Sequence, residues 1–166
     1  MCLAKEHNLT APNMPQYIDA LARLQVFSID PVSRTYEIYS GVPYTIPHRH
    51  YSPLCMIWPL HLTDLDDVLW RGIADRSVDL WLATPELDSM FYRPVASKMN
   101  VLLGRKASAY SNISILLMTR VTPNTFYNEG SQGSCTETPY AVAWAIGELL
   151  VQSWNNTVDC FPLRSA

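Results

Sequence analysis

TPYAVAWAIGELLVQSW (138–154) is the stretch on which the reading of the fold turns. Val142, Ile146, Leu149 and Leu150 recur at the helical period and fall on one face. Pro139 stands where a helix opens, and at a first helical position its missing N–H is an orphan in any case. The spacing predicts a helix from Thr138 to about Trp154, followed by a strand over 158–163.

Working outward, the same period recurs upstream. Residues 122–134 hold polar and Gly turn residues, and 105–118 reads as a helix. Another is expected over 89–103, ended by Gly104 as a natural C′ residue, with Pro94 delaying or kinking its start. Thr63 as N-cap with Asp66 three residues on predicts a helix running to Leu82. Its expected buried stripe is Leu65, Val68, Leu69, Ile73, Ser77, Leu80 and Trp81. Residues 52–58 form a short apolar helical segment stopped by Pro59, and 41–47 form a loop held extended by Pro43 and Pro47.

Nearer the N-terminus the period changes. Residues 26–40 alternate about a Pro31-Val32-Ser33 turn, the pattern of a β-hairpin. Before them, 16–24 places Ile18, Leu21 and Leu24 on one helical face. The expected architecture is therefore mainly α, a helical-hairpin array with a small β-hairpin near the N-terminus. Residues 1–14 are expected to be a poorly ordered segment, and 15–166 one domain.

Bulk composition bounds the function. With 48% hydrophobic and 16% charged residues, the 166-residue chain has a real core. A net charge of −3 leaves no basic stripe for phosphates, so no nucleic-acid partner is expected. No apolar run approaches the roughly 18 residues of a membrane span. Cys2, Cys55, Cys135 and Cys160 are scattered, which excludes a zinc ribbon and supports no disulfide framework. Sequons at Asn8, Asn112 and Asn155 hint at a secreted or extracellular parent protein. No Gly-rich phosphate loop, Ser elbow or His-Glu-x-x-His pattern is present, and neither cofactor nor metal is expected.

Three clusters carry chemistry. His48-Arg49-His50, at the end of a Pro-stiffened loop, supplies donors for sugar hydroxyls or a carboxylate; two structural histidines under a loop are the plainer alternative. A cupin-like metal pair is the third option, but Gly41 lies one residue too far upstream and no Glu follows His50 at the needed spacing. TPNTFYNEG (122–130) sets Asn124, Asn128 and Glu129 beside Phe126 and Tyr127, the mix of planar polar groups and stacking faces that a sugar site uses, or a polar turn. Glu137, in CTETP (135–139), lies at a helix mouth where the macrodipole favours a carboxylate, whether for chemistry or for helix stability alone.

The order of these clusters resembles a known family. GVPYTIPHRHYSPLCMIWPLHL (41–62), TPNTFYNEG (122–130), TETPYAVAWAIGELLVQSW (136–154) and CFP (160–162) resemble the C-terminal half of the glycoside hydrolase family 95 catalytic domain, over about residues 15–163. That family includes α-L-fucosidases and α-L-galactosidases. The resemblance implies a partial (α/α)6 toroid and an inverting mechanism on a carbohydrate substrate. It assigns Glu137 as the catalytic carboxylate that polarises the water-activating group, and His48, Arg49 and His50 to a substrate-facing loop. Asn124 and Glu129 join them as substrate-binding candidates.

Two departures accompany it. Pro53 stands where the family usually has His, and Glu137 is one methylene longer than the family's usual Asp. The family's general acid and catalytic Asn belong upstream of the matched region. A closed toroid needs roughly 350 residues at ordinary helix and loop lengths. The chain is thus expected to be a fragment whose partner is the missing N-terminal half of the same domain. By itself it is expected to expose apolar faces and to lack activity. The alternatives are a non-catalytic helical remnant or a carbohydrate-binding pseudoenzyme.

Overall fold

The computed structural model describes residues 12–24, 27–45, 48–83, 89–130, 133–154 and 157–162. Five α-helices occur among them: α1 (Met14–Arg23), α2 (Val68–Ala83), α3 (Tyr92–Leu102), α4 (Lys106–Arg120) and α5 (Glu137–Leu150). Two antiparallel ribbons accompany them: β1 (Glu37–Tyr39) with β2 (Val42–Pro43), and β3 (Val151–Trp154) with β4 (Thr157–Cys160). The molecule is mainly helical with a small hairpin near the N-terminus, as the periodicity predicts. The expected disordered segment over 1–14 lies largely outside the described residues, and α1 already begins at Met14.

The last helix ends four residues before its expected limit. Val151 leaves helical geometry at φ −144°, ψ 130°, and 151–154 pair with 157–160 in the register Val151↔Cys160 to Trp154↔Thr157. Strand pairing gives these backbone groups partners that a fraying last helical turn lacks. The helix also opens earlier than expected, so Pro139 falls in its third position rather than its first. There it remains within the turn whose N–H groups have no intrahelical partner.

Helix α2 corrects a second boundary. Thr63 is not its N-cap: the Asp67 carboxylate accepts from the N–H of Leu69 (2.8 Å) and Trp70 (3.0 Å), and the helix starts at Val68. Thr63 is buried, and its hydroxyl meets the Tyr36 hydroxyl at 2.7 Å. Ile73, Ser77 and Trp81 form the buried stripe with Ala74 and Val78, whereas Val68 and Leu69, expected in it, are exposed. They occupy the first turn, which overhangs the core.

Helix α3 starts at Tyr92, so Pro94 falls in its first turn, where it removes no intrahelical hydrogen bond. Gly104, at φ +72°, closes its end, and Arg105 N–H reaches back to Asn100 O at 2.7 Å. Every residue from Pro94 to Val101 is buried, because α3 packs on three helices. Arg71 donates to Leu103 O while the Trp81 and Tyr92 rings meet, which makes α2 antiparallel to α3. Arg93 donates to Asn112 and Ser97 to Ala109 O, which makes α4 antiparallel as well. Lys98 pairs with Glu148, and the residues before α3 tie to the start of α5, so α5 runs parallel to α3.

The N-terminal hairpin closes through an Ile29↔Tyr36 bridge and an Asp30 carboxylate that accepts from Ser33 N–H at 2.7 Å. It continues past Gly41 (φ +80°) into β2. Tyr36, Tyr44, Leu54 and Ile57 then cover α2 and α3 as the main core. A smaller core joins Ile113, Leu116, Tyr127, Val142 and Ala145. No side chain of α1 is buried, and Tyr110 and Met118 of α4 are exposed.

Of the three sequons, Asn8 and Asn155 lie outside the described residues. Asn112 sits within α4, buried, with its amide N–H bound to Ser108 O (2.9 Å) and its carbonyl receiving Arg93 (3.2 Å). A glycan there would displace helix packing. Expressed through a secretory pathway, the folded protein should carry no sugar on the peptide containing Asn112. Mass spectrometry of that peptide checks this.

Candidate functional site

The C-terminal ends of α2 and α4 and the N-terminal ends of α3 and α5 share one end of the array, by the helix directions above. All three chemical clusters lie there. His50 and Glu129 reach the short segment 89–91 ahead of α3, and Thr138, beside Glu137, joins them through Glu129.

Glu129 makes the central tie. It is 4% exposed, and one carboxylate oxygen accepts from the Ser89 hydroxyl and from Met90 N–H (3.1 Å). The other accepts from the Thr138 hydroxyl at 3.2 Å, one residue from Glu137. The Tyr127 hydroxyl is buried beside the same carboxylate without a well-formed hydrogen bond. Burial pushes the Glu129 carboxyl up, but the donors Ser89, Thr138 and Met90 N–H, with the Tyr127 hydroxyl close by, outweigh it and hold the group below the ordinary carboxylate value. Burial also pushes the Tyr127 phenol up, with the adjacent carboxylate acting in the same direction. Glu129 therefore sits beneath the surface and joins the start of α3 to the start of α5.

The histidine loop reaches the same segment from the other side. His48 Nδ1 accepts from His50 N–H at 3.0 Å, and the His48 residue is exposed. The two imidazoles lie 4.9 Å apart, and the His50 ring meets the Phe91 ring edge at 5.6 Å. Trp81, buried at the end of α2, donates its indole N–H to His48 O at 3.0 Å, and the Tyr44 hydroxyl accepts from His48 N–H at 3.1 Å. Arg49 is half-buried between the two. Pro53, where the resembled family has His, is buried in the short 3-10 helix Ser52–Leu54.

Beside Glu129, an open groove of about 530 Å³ is lined by Thr122, Asn124, Phe126, Tyr127 and Asn128 among others. The Asn124 carbonyl receives the Thr122 hydroxyl, and the Asn128 carbonyl receives Gly130 N–H at 2.9 Å. Both amide NH2 groups are therefore left as donors beside the exposed Phe126 ring. Among the described residues no charged side chain lines this groove. Its chemistry suits a neutral ligand rich in hydroxyl oxygens.

Glu137 is the first residue of α5, and its side chain is exposed. The cupin alternative fails on the fold, because His48 and His50 stand in a loop of a helical molecule rather than in a barrel strand. Among the described residues no three His, Cys, Asp or Glu side chains gather as a metal site. Sequence reasoning missed Ser89, Phe91 and Thr138 as parts of this region. A lone Ser ahead of a helix and a Thr inside one carry no signal until Glu129 is seen between them. The sequence matches no family model and no curated protein.

Proposed function

We propose that the chain is the C-terminal segment of an inverting glycoside hydrolase resembling the α-L-fucosidases and α-L-galactosidases of family 95. In this reading its helical hairpins form part of an (α/α)6 toroid completed by an upstream half that supplies the general acid. The observation that carries the reading is convergence. Three motifs separated by up to about 90 residues in sequence, whose order first resembled the family, are tied together: His50 and Glu129 both reach the segment ahead of α3, and Thr138, next to Glu137, bonds Glu129. Inversion needs an acid and a water-activating group on opposite sides of the scissile bond, with room for water between them. Glu137 is the carboxylate that polarises the water-activating amide; His48, Arg49 and His50 hold sugar hydroxyls, and Asn124 binds the substrate from the groove. Glu129 acts from beneath as the residue that fixes their positions.

The test is an assay of the upstream-extended protein on aryl α-L-fucoside and α-L-galactoside. Glu137→Gln should lower kcat by about 100-fold, the size of a general acid–base contribution. Full activity in that variant would remove the role given to Glu137. A second reading, carbohydrate binding without catalysis, is favoured by the neutral donor-rich groove. It predicts that the extended protein binds these sugars and turns over neither.

A further inference from the structure

The groove beside Glu129 is built on a turn that fixes its side chains. Val121 and Tyr127 form an isolated antiparallel bridge, and Asn128 N–H donates to Arg120 O at 2.9 Å. Thr122 N–H donates to Phe126 O at 2.9 Å, and Thr125 N–H closes the turn on Thr122 O at 2.8 Å. These bonds hold Thr125 at φ +67°, a left-handed conformation that a β-branched residue rarely adopts. Such strain persists only where the surrounding structure over-determines it, and it gathers at ligand sites.

Past the turn, alternate side chains part to opposite sides, as in a strand. Tyr127 and Glu129 are buried, whereas Phe126 and Asn128 are exposed. The Phe126 ring is 65% exposed on the groove wall, with Asn124 two residues before it and Asn128 two residues after. One exposed ring is ordinary on a protein surface. Its neighbours distinguish this one. The Asn124 carbonyl is engaged by the Thr122 hydroxyl and the Asn128 carbonyl by Gly130 N–H, so each amide is pinned with its NH2 turned to other use. A flat apolar face bordered by fixed donors matches a pyranose ring, which has a C–H face and hydroxyl oxygens at its rim.

We propose that this groove is a subsite for an uncharged pyranose unit, stacked on Phe126 and held by the Asn124 and Asn128 amides. The inference rests on the reading of this end of the array as a sugar site and names a second unit of its ligand. Neither Glu137 nor His48, Arg49 and His50 lines the groove, so the unit held here is not the one whose bond is cleaved. This chain therefore carries the subsite whole, without an upstream half.

Charge selects against acidic sugars. The buried Glu129 carboxylate lies beside the Tyr127 hydroxyl under the groove, and Glu137 follows three residues after the lining Ser134. Arg120, at the end of α4, is the opposing cation in range of Tyr127, but it does not line the groove. A uronate would bring a further negative charge to a site with no cationic wall to receive it.

Titration of the whole chain with methyl β-D-galactoside, a pyranoside with an uninterrupted C–H face, tests the proposal. NMR should show saturable shifts at the Asn124 and Asn128 side-chain amides and at the Phe126 ring. Phe126→Leu keeps an apolar side chain without a π face and should weaken binding about 5-fold, while Phe126→Tyr should retain it. Methyl β-D-galactosiduronate should bind several-fold more weakly than the galactoside. Shifts that fail to saturate, that lie elsewhere, or that persist unchanged in Phe126→Leu overturn the subsite. Equal binding of the uronate overturns the uncharged class. The glycosidase reading stands or falls separately. Saturable shifts in an extended protein that turns over no glycoside would keep the subsite and remove the glycosidase; turnover without these shifts would do the reverse.

Discussion

Glu129→Ala should lower folding stability by about 3–4 kcal/mol, measured by denaturant unfolding at neutral pH. The substitution leaves Met90 N–H and the hydroxyls of Ser89 and Thr138 buried around a void, with the Tyr127 hydroxyl alongside. Each orphaned buried donor costs about 1–3 kcal/mol, and relief from burying a charge offsets part of the sum. Glu129→Gln keeps a carbonyl acceptor for Ser89 and Met90, while the Thr138 hydroxyl can turn to accept from the new amide. It should cost only about 1–2 kcal/mol. The two variants therefore separate the network from the mere volume of the side chain.

The same residue gives the protein an acid limit. Its folded-state pKa is depressed below the ordinary glutamate value of 4.5, so the unfolded chain takes up the proton first as pH falls. The stabilisation is fully present above 4.5 and is lost as pH drops through the folded-state value. Glu129→Gln should flatten that part of the stability–pH curve. An unchanged acid limb in this variant would show that other carboxylates set it.

Glu148→Ala should cost about 3 kcal/mol, because it leaves the Lys98 ammonium buried without a counter-charge. The low end of the range applies: the Lys98 side chain is 3% exposed but that of Glu148 is 21% exposed, so some water reaches the pair. Burial pulls the Lys98 ammonium below its ordinary value, with Glu148 acting the other way. Removing Glu148 strips away the carboxylate that keeps the charge tolerable. Lys98→Met together with Glu148→Leu should recover most of the loss, since apolar groups of similar volume need no partner. Denaturant unfolding of the three variants gives the answer. A double variant as weak as Glu148→Ala would mean that helix packing, not charge, is at stake.

Much of the helical layout was legible in the sequence. Gly104, the long α2 stripe centred on Ile73, Ser77 and Trp81, and the Val142 face of α5 all follow from local periodicity and punctuation. The errors have one physical origin. Thr63 and Asp67 are both plausible caps by residue type, and Tyr36, 27 residues away from Thr63, captures the Thr63 hydroxyl. Likewise 151–154 could continue a helix locally, but 157–160 offer a ladder instead. Local rules cannot weigh a partner that the chain brings back from elsewhere.

The site divides along the same line. His48, Arg49, His50, Asn124 and Glu137 could be singled out by residue type and order. Glu129 could be singled out too, but its place beneath the surface could not. Lys98 gave no signal at all, because a Lys in a helix is ordinarily solvated and its partner lies 50 residues on.

By itself, then, the sequence determined the helical character of residues 138–150, the neighbouring helices and the short list of polar clusters, because these depend on interactions within a turn or two of the chain. Only the tertiary structure decided where the 138–154 stretch turns from helix to strand and which carboxylate is a buried tie. It also decided that three distant clusters are tied together through Glu129 and the segment ahead of α3. Those outcomes rest on long-range hydrogen bonds and desolvation, which exist only once α3 is enclosed by its neighbours.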